Sequence, residues 1–208
     1  HGVKLRDRLV ATMPLWAPWA AMFAPLSNLR DLIPGLAKLT ERWLGLAAER
    51  ALPAFRRDAF HDWEVREPDG RANEVILLPD LFNRYFEPEN LRAAIRVLRA
   101  AGADPAVARP ASGTRPLDDG RTYLAAGMVD QARAEARRTL EVLSRWDSPV
   151  LGLEPSCLLT LRDEFLALLP GEAAQKLASR AQLVSEWIAE AKPALRLTPI
   201  EAEAHIHG

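Results

Sequence analysis

Cysteine occurs only once in the 208 residues, as Cys157. A single thiol excludes a disulfide framework and cannot by itself fix a metal. Histidine is scarce and peripheral: His1, His205 and His207 lie at the termini and His61 in a polar stretch. A Cys/His hydrolase needs an imidazole beside its thiol, so that chemistry is not expected. Long apolar runs are also missing. Residues 13–26 (MPLWAPWAAMFAPL) are too short and proline-rich to cross a bilayer, which takes ~20 apolar residues. Nor is there a charge imbalance: 27 basic residues face 28 acidic ones, for a net charge of -1. Neither a nucleic-acid surface nor an acidic tail is therefore expected. No signal peptide, internal repeat or low-complexity tract is visible.

What is present suits a globular domain with a helical extension: 49% hydrophobic and 26% charged residues. The expected setting is the cytoplasm. Trp16, Trp19 and Phe23 are read as buried, with contact at a membrane interface, such as the inner membrane face, or with a partner as the alternative. The bare ends, His1-Gly2 and His207-Gly208, read as those of a piece excised from a longer chain.

The first third is helical and broken by proline. Pro34 suits the first turn of a helix reaching about residue 46, with Leu36, Leu39, Trp43, Leu44 and Ala47 on one face. Pro68-Asp69-Gly70 is a turn. Beyond it Glu74-Val75-Ile76-Leu77-Leu78, ending at Pro79-Asp80, reads as a buried parallel strand. A helix follows over residues 88–101, and Gly102 sits where a helix-ending glycine belongs. Residues 105–108 read as a weak second strand and 149–153 as a third. Helices are predicted over residues 121–146, from Cys157 to about residue 169, and over 172–191. Strands alternating with helices predict an α/β fold: a short parallel sheet flanked by helices, behind an N-terminal helical arm. In such sheets functional groups gather beyond the carboxyl ends of the strands. Here those are Pro79-Asp80-Leu81, residues 109–120, and Glu154-Pro155-Ser156-Cys157.

Cys157 falls between a strand and a helix N-terminus, where the helix end is expected to favour the thiolate and suit a nucleophile or a metal ligand. The alternative is a small buried side chain packing the turn. Asp118-Asp119-Gly120 stands before the helix at Arg121. Capping of free N–H groups is the expectation, with a hard-cation site as the alternative. Adjacent carboxylates rarely oppose each other as general acid and base must. The tail His205-Ile206-His207-Gly208 has chelating residues but no frame.

Together these segments resemble a known family. The stretches "LLPDLFNRYFEPENLRAAIRVLRAAG", "RPLDDGRTYLAAGMVDQARAEARRTLEVL" and "GLEPSCLLTLRDEFLALLPGEAA" look like the first cysteine-rich (CCG) domain in the C-terminal iron–sulfur region of long FAD-linked oxidases. That group includes enzymes of the D-2-hydroxyglutarate and D-lactate dehydrogenase type. The iron–sulfur subunits of glycolate oxidase, anaerobic glycerol-3-phosphate dehydrogenase and heterodisulfide reductase are similar more distantly. Residues 1–72 look like the helical connection ahead of that domain, and residues 73–208 like the domain itself, stopping before a second one. The tail from Ala204 to Gly208 resembles the start of the family's "VHGHCHQKAFG" stretch.

The resemblance implies a 4Fe-4S cluster in the family and FAD elsewhere in the parent protein. As partners it implies the FAD-binding domain, the second cysteine-rich domain and an electron acceptor. It places Cys157, Asp118, Asp119 and Gly120 at the cluster position, Cys157 as the metal ligand, with Arg115 and Arg121 lending positive charge nearby. The departures are specific. Where relatives read R-P-L-C-C-G-R-T-Y/F, this chain has Asp118 and Asp119; where some carry a cysteine after the first strand, it has Leu81. Carboxylates replace soft thiolates poorly at iron–sulfur clusters, so the chain is expected not to hold one. Each Cys-to-Asp change needs more than one base substitution, so the pair reads as an engineered or excised version rather than a natural cluster-less variant. The expected function is a fragment of the iron–sulfur electron-transfer region of a FAD-dependent 2-hydroxyacid dehydrogenase. The alternative is a non-redox scaffold whose arm, through Trp16, Trp19 and Trp43, docks on a FAD domain or partner chain.

Overall fold

The computed structural model describes residues 3–33, 35–111, 115–198 and 201–203. Its centre is a parallel sheet of four strands: β1 (Glu74–Leu77), β2 (Asp104–Ala106), β3 (Val150–Gly152) and β4 (Ala181–Leu183). The spatial order is β2-β1-β3-β4. Ile76 lies opposite Ala106 on one side and Val150 on the other, and Val150 faces Ala181. The α/β expectation is met.

The unbroken apolar run of β1 is explained by helices on both faces. Ile76 and Leu78 point into one core, Val75 and Leu77 into the other. Between β1 and β2 lie α6 and α7, between β2 and β3 lie α8 and α9, and between β3 and β4 lie α10, α11 and α12, with α13 last. Their bounds follow the N-terminal helices α1 (Leu5–Ala11), α2 (Met13–Met22), α3 (Ala24–Ser27), α4 (Leu29–Leu32) and α5 (Leu36–Leu44). They are α6 (Leu81–Tyr85), α7 (Pro88–Ala100), α8 (Arg121–Ala125), α9 (Val129–Leu143), α10 (Pro155–Arg162), α11 (Glu164–Leu168), α12 (Glu172–Ser179) and α13 (Val184–Ala191). The first core joins Ala132, Ala136 and Leu143 of α9 to Leu158, Leu161 and Phe165. The second joins Leu91, Ile95 and Leu98 of α7 to Val184. Fully buried leucine or phenylalanine side chains such as these contribute roughly 2 kcal/mol each.

Four elements differ from their sequence expectation. The helix predicted from Cys157 to about residue 169 is broken at Asp163 into α10 and α11. The helix predicted over 121–146 breaks at Gly127, where φ is +72° and the Met128 N–H turns back to the Tyr123 carbonyl (2.9 Å). The helix predicted over 172–191 is interrupted by β4. Leu177 and Ala181 belong to the first core but Val184 and Trp187 to the second. A continuous helix cannot serve both faces of a sheet, so the chain crosses the edge as a strand. In α5 the apolar face predicted to pack is open: Leu39 is 52% and Trp43 76% exposed. Pro34 lies outside the described residues.

The arm is tied to the sheet layer at several points. Ala11 is buried in the first core, and its carbonyl accepts from Thr122 Oγ1 (2.9 Å). Ala17 and Ala21 of α2 pack on Leu81 and Tyr85 of α6. The Arg56 and Phe60 N–H groups donate to the Tyr85 and Arg84 carbonyls (both 2.9 Å), and Phe60 and Val65 sit in the second core. Among the described residues no helix is long and apolar enough to cross a membrane.

Candidate functional site

In a parallel sheet ordered β2-β1-β3-β4, the connections leaving β1 and β3 diverge to opposite edges. This opens a crevice beyond their carboxyl ends. Asp80 stands at the end of β1, where the rigid Leu78-Pro79 exit turns into α6. Its Oδ1 accepts from the Phe82 and Asn83 N–H groups (3.0 and 2.9 Å), and its Oδ2 from Asn83 Nδ2 (2.7 Å). Such an N-cap satisfies donors the helix itself cannot. Burial, and then the Glu154 charge, push the Asp80 carboxyl above the usual range.

Asp118 and Asp119 arrive from the segment after β2. Asp118 Oδ1 accepts from the Gly120 N–H (2.8 Å), and Asp119 Oδ1 from the Arg121 N–H (2.9 Å). The expectation that they cap the helix at Arg121 is corrected: the N-cap of α8 is Gly120 and no side chain caps the helix. The two aspartates instead hold the turn that leads into it, Asp119 reaching only the first N–H. Thr139 Oγ1 of α9 anchors this turn by donating to the Asp118 carbonyl (2.7 Å). Gly120 is required on two counts. Its φ is +77°, and a Cβ there would meet the Ala132 carbonyl oxygen at 3.0 Å. The turn therefore lies directly against α9.

Cys157 sits in the first turn of α10, 9% exposed, with Glu154 as the N-cap. The thiol feels the charges of Asp119, Asp80 and Asp118, in that order, so the structure does bring the sequence-predicted residues together. Their effect reverses one expectation. Burial first, and then the Asp119 carboxylate, drive the thiol far above its ordinary value, where the helix end was expected to lower it. In the metal-free chain Cys157 is thus not a poised nucleophile.

Asp119 is 5% exposed, and its Oδ2 has no hydrogen-bond partner. It lies near enough to Cys157 for their charges to interact, yet no hydrogen bond of sound geometry joins them. Burial, and then the Asp118 charge, raise the Asp119 carboxyl. Asp118 is also raised by burial, against which the Gly120 N–H and the Arg115 and Arg138 charges work. The pair favours sharing protons over carrying two negative charges.

Of the two arginines expected to lend charge here, Arg115 acts on Asp118, opposing the rise that burial causes, while it is itself paired. Arg115 forms a two-pronged ion pair with Glu135 of α9, one contact at 2.8 Å, and Arg138 pairs with the same carboxylate. Arg138 also donates to the Arg115 and Pro116 carbonyls (2.9 and 2.6 Å), fixing the approach to Asp118. Arg121 reaches outward to Glu164 (3.2 Å). Leu81 is buried against Ala17, Ala21, Ala59 and Tyr85. His61 stacks on Trp63, ring centroids 5.4 Å apart, and the terminal histidines lie outside the described residues.

The donor set does not fit an iron–sulfur cluster. A single cysteine is present where several soft thiolates are needed, and one oxygen of each of Asp118 and Asp119 is engaged by a backbone N–H group. Among the described residues no three histidine, cysteine or acidic side chains are grouped to hold a metal ion. Sequence reasoning placed Asp80 at a strand end without making it a site residue, and it missed Glu135. The signal for Asp80 was available: an aspartate after a buried strand, directly before a helix, is an N-cap signature. For Glu135, one acidic residue on a charged helix, there was none.

No family model matches the chain, and no solved structure matches it. Two curated proteins are similar to it at low identity, and the chain spans about a fifth of the length of each. D-2-hydroxyglutarate dehydrogenase of Pantoea ananatis (strain AJ13355) is 24% identical over 201 residues, covering 90% of this chain and 19% of that protein. D-2-hydroxyglutarate dehydrogenase of Escherichia coli (strain K12) is 24% identical over 214 residues, covering 96% of this chain and 20% of that protein.

Proposed function

We propose that this chain is a segment of a FAD-linked 2-hydroxyacid dehydrogenase, drawn from its iron–sulfur electron-transfer region, with the cluster position vestigial. The observation that carries this reading is the similarity to two D-2-hydroxyglutarate dehydrogenases along nearly the whole chain. The convergence of Asp80, Asp118, Asp119 and Cys157 beyond the strand ends supports it. In the parent protein, FAD outside this segment takes the hydride from the 2-hydroxyacid, and electrons pass onward to an acceptor. In this segment the aspartates keep the turn and the fold, while the soft-ligand chemistry is gone. Anaerobic reconstitution with iron and sulfide, read by visible and EPR spectra, tests the proposal. The protein is expected to stay spectroscopically empty, and a stoichiometric cluster would contradict the vestigial site.

A second reading, a non-redox scaffold, is favoured by one specific observation. Among the described residues, fifteen of the large hydrophobic side chains standing exposed lie between Val3 and Trp63 and six beyond. On this reading the arm docks on the FAD domain or a partner chain through Trp19 and Trp43. Trp19 and Phe23, read from the sequence as buried, are exposed, while Trp16 is half-buried and packs on Phe55. Sedimentation of the chain as a strict monomer that binds no FAD-domain protein would remove it.

A further inference from the structure

A cavity of about 770 Å³ opens between the arm and α6, and it shares no residue with the Asp80–Asp119–Cys157 group. Its size falls in the range of small-molecule sites, roughly 300 to 1,000 Å³. Ala21 and Met22 of α2 and Phe60 supply apolar walls. Three arginines face it: Arg57, Arg84 and Arg109.

Two of these are already committed. Arg84 is buried and ion-paired with Asp62 at 2.7 Å. Arg109 donates to the Val65 carbonyl at 2.7 Å and pairs with Glu67 at 3.3 Å, leaving its buried Nε without a partner. Arg57 is different. It is exposed, and among the described residues no hydrogen bond or ion pair engages its guanidinium. With Asp62 and Glu67 counted against the three arginines, the lining keeps a positive charge. At the same rim Trp63 is 71% exposed. His61 lies parallel to it, with ring planes 12° apart, so one face of the indole is already covered and held. A braced aromatic surface and an unpaired guanidinium lining one cavity are complementary to a flat ring that carries an anion.

We propose that this cavity binds a planar aromatic carboxylate, its ring laid against Trp63 and its carboxylate taken by Arg57. The proposal does not rest on the dehydrogenase reading and stands or falls separately from it. Isothermal titration of the whole chain with 2-naphthoate tests it, with 2-naphthalenemethanol as the uncharged body and inorganic phosphate as the bare anion. Binding of 2-naphthoate is expected, with the alcohol at least about tenfold weaker and phosphate giving no heat. Arg57→Gln and Trp63→Ala change exposed side chains and should leave the fold intact by circular dichroism. Each is expected to weaken 2-naphthoate about tenfold. No heat with 2-naphthoate at millimolar concentration would overturn the proposal. So would equal affinity for the alcohol, or unchanged affinity in both folded variants.

Discussion

At the scale of single residues, the group beyond the strand ends is governed by burial. Asp119 is raised to about 8 in the folded chain from an ordinary value of 3.8. A carboxyl whose folded value is raised holds a proton that the unfolded chain has released. Its contribution to stability is therefore complete below about pH 4 and is lost as pH rises towards 8. Urea unfolding should accordingly show stability falling as pH rises from about 5 towards 8, by at most about 1.4 kcal/mol per pH unit. Asp119→Asn keeps the acceptor for the Arg121 N–H and removes the titration, so the decline should flatten. The same burial protects Cys157, whose reaction with a disulfide reagent at pH 8 is expected only on unfolding. Rapid labelling of the native protein would contradict that. Gly120→Ala combines a left-handed backbone with the 3.0 Å approach to the Ala132 carbonyl, and should cost on the order of 1–3 kcal/mol by denaturant midpoint.

At the scale of elements, the approach to the acidic turn hangs on one buried carboxylate. Glu135 is 2% exposed and holds both Arg115 and Arg138, and Arg138 in turn holds the Arg115 and Pro116 carbonyls. Glu135→Leu leaves two arginines without their partner and is expected to destabilise by about 3–5 kcal/mol. Replacing Arg121, whose ion pair with Glu164 is solvent-exposed, should cost about 1 kcal/mol or less. Comparison of the two denaturant midpoints checks both. The elements also show what was legible beforehand. β1 was readable because both its faces are buried, so the run Val75-Ile76-Leu77-Leu78 has no polar gap. The helix over residues 88–101 was readable because one face of α7 is buried and its period is plain. β4 was not, since Ala181, Val184 and Trp187 keep helical spacing while serving opposite faces of the sheet. The break at Gly127 was hidden for the same reason: the apolar period continues across it.

At the scale of the whole molecule, the sheet fixes where chemistry can gather, and the side chains decide which chemistry remains. The strand ends named from the sequence do converge, because a parallel sheet of this order must open between β1 and β3. The state of the group was not legible. Helix position alone predicted a lowered thiol, and only the packed structure sets three carboxylates and burial against it. The openness of the arm was equally hidden, since Leu39 and Trp43 have the spacing of a packed face but no neighbour to cover them. The central claim is that the frame of an iron–sulfur site persists while its thiolates are missing. Its most direct measurement is anaerobic iron–sulfide reconstitution of the Asp118→Cys/Asp119→Cys variant beside the unaltered chain, read by iron content and EPR. The account predicts bound iron and a reduced-cluster signal in the double variant, neither in the unaltered chain, and loss of both on adding Cys157→Ser. A folded double variant that takes up no more iron than the unaltered chain would contradict it.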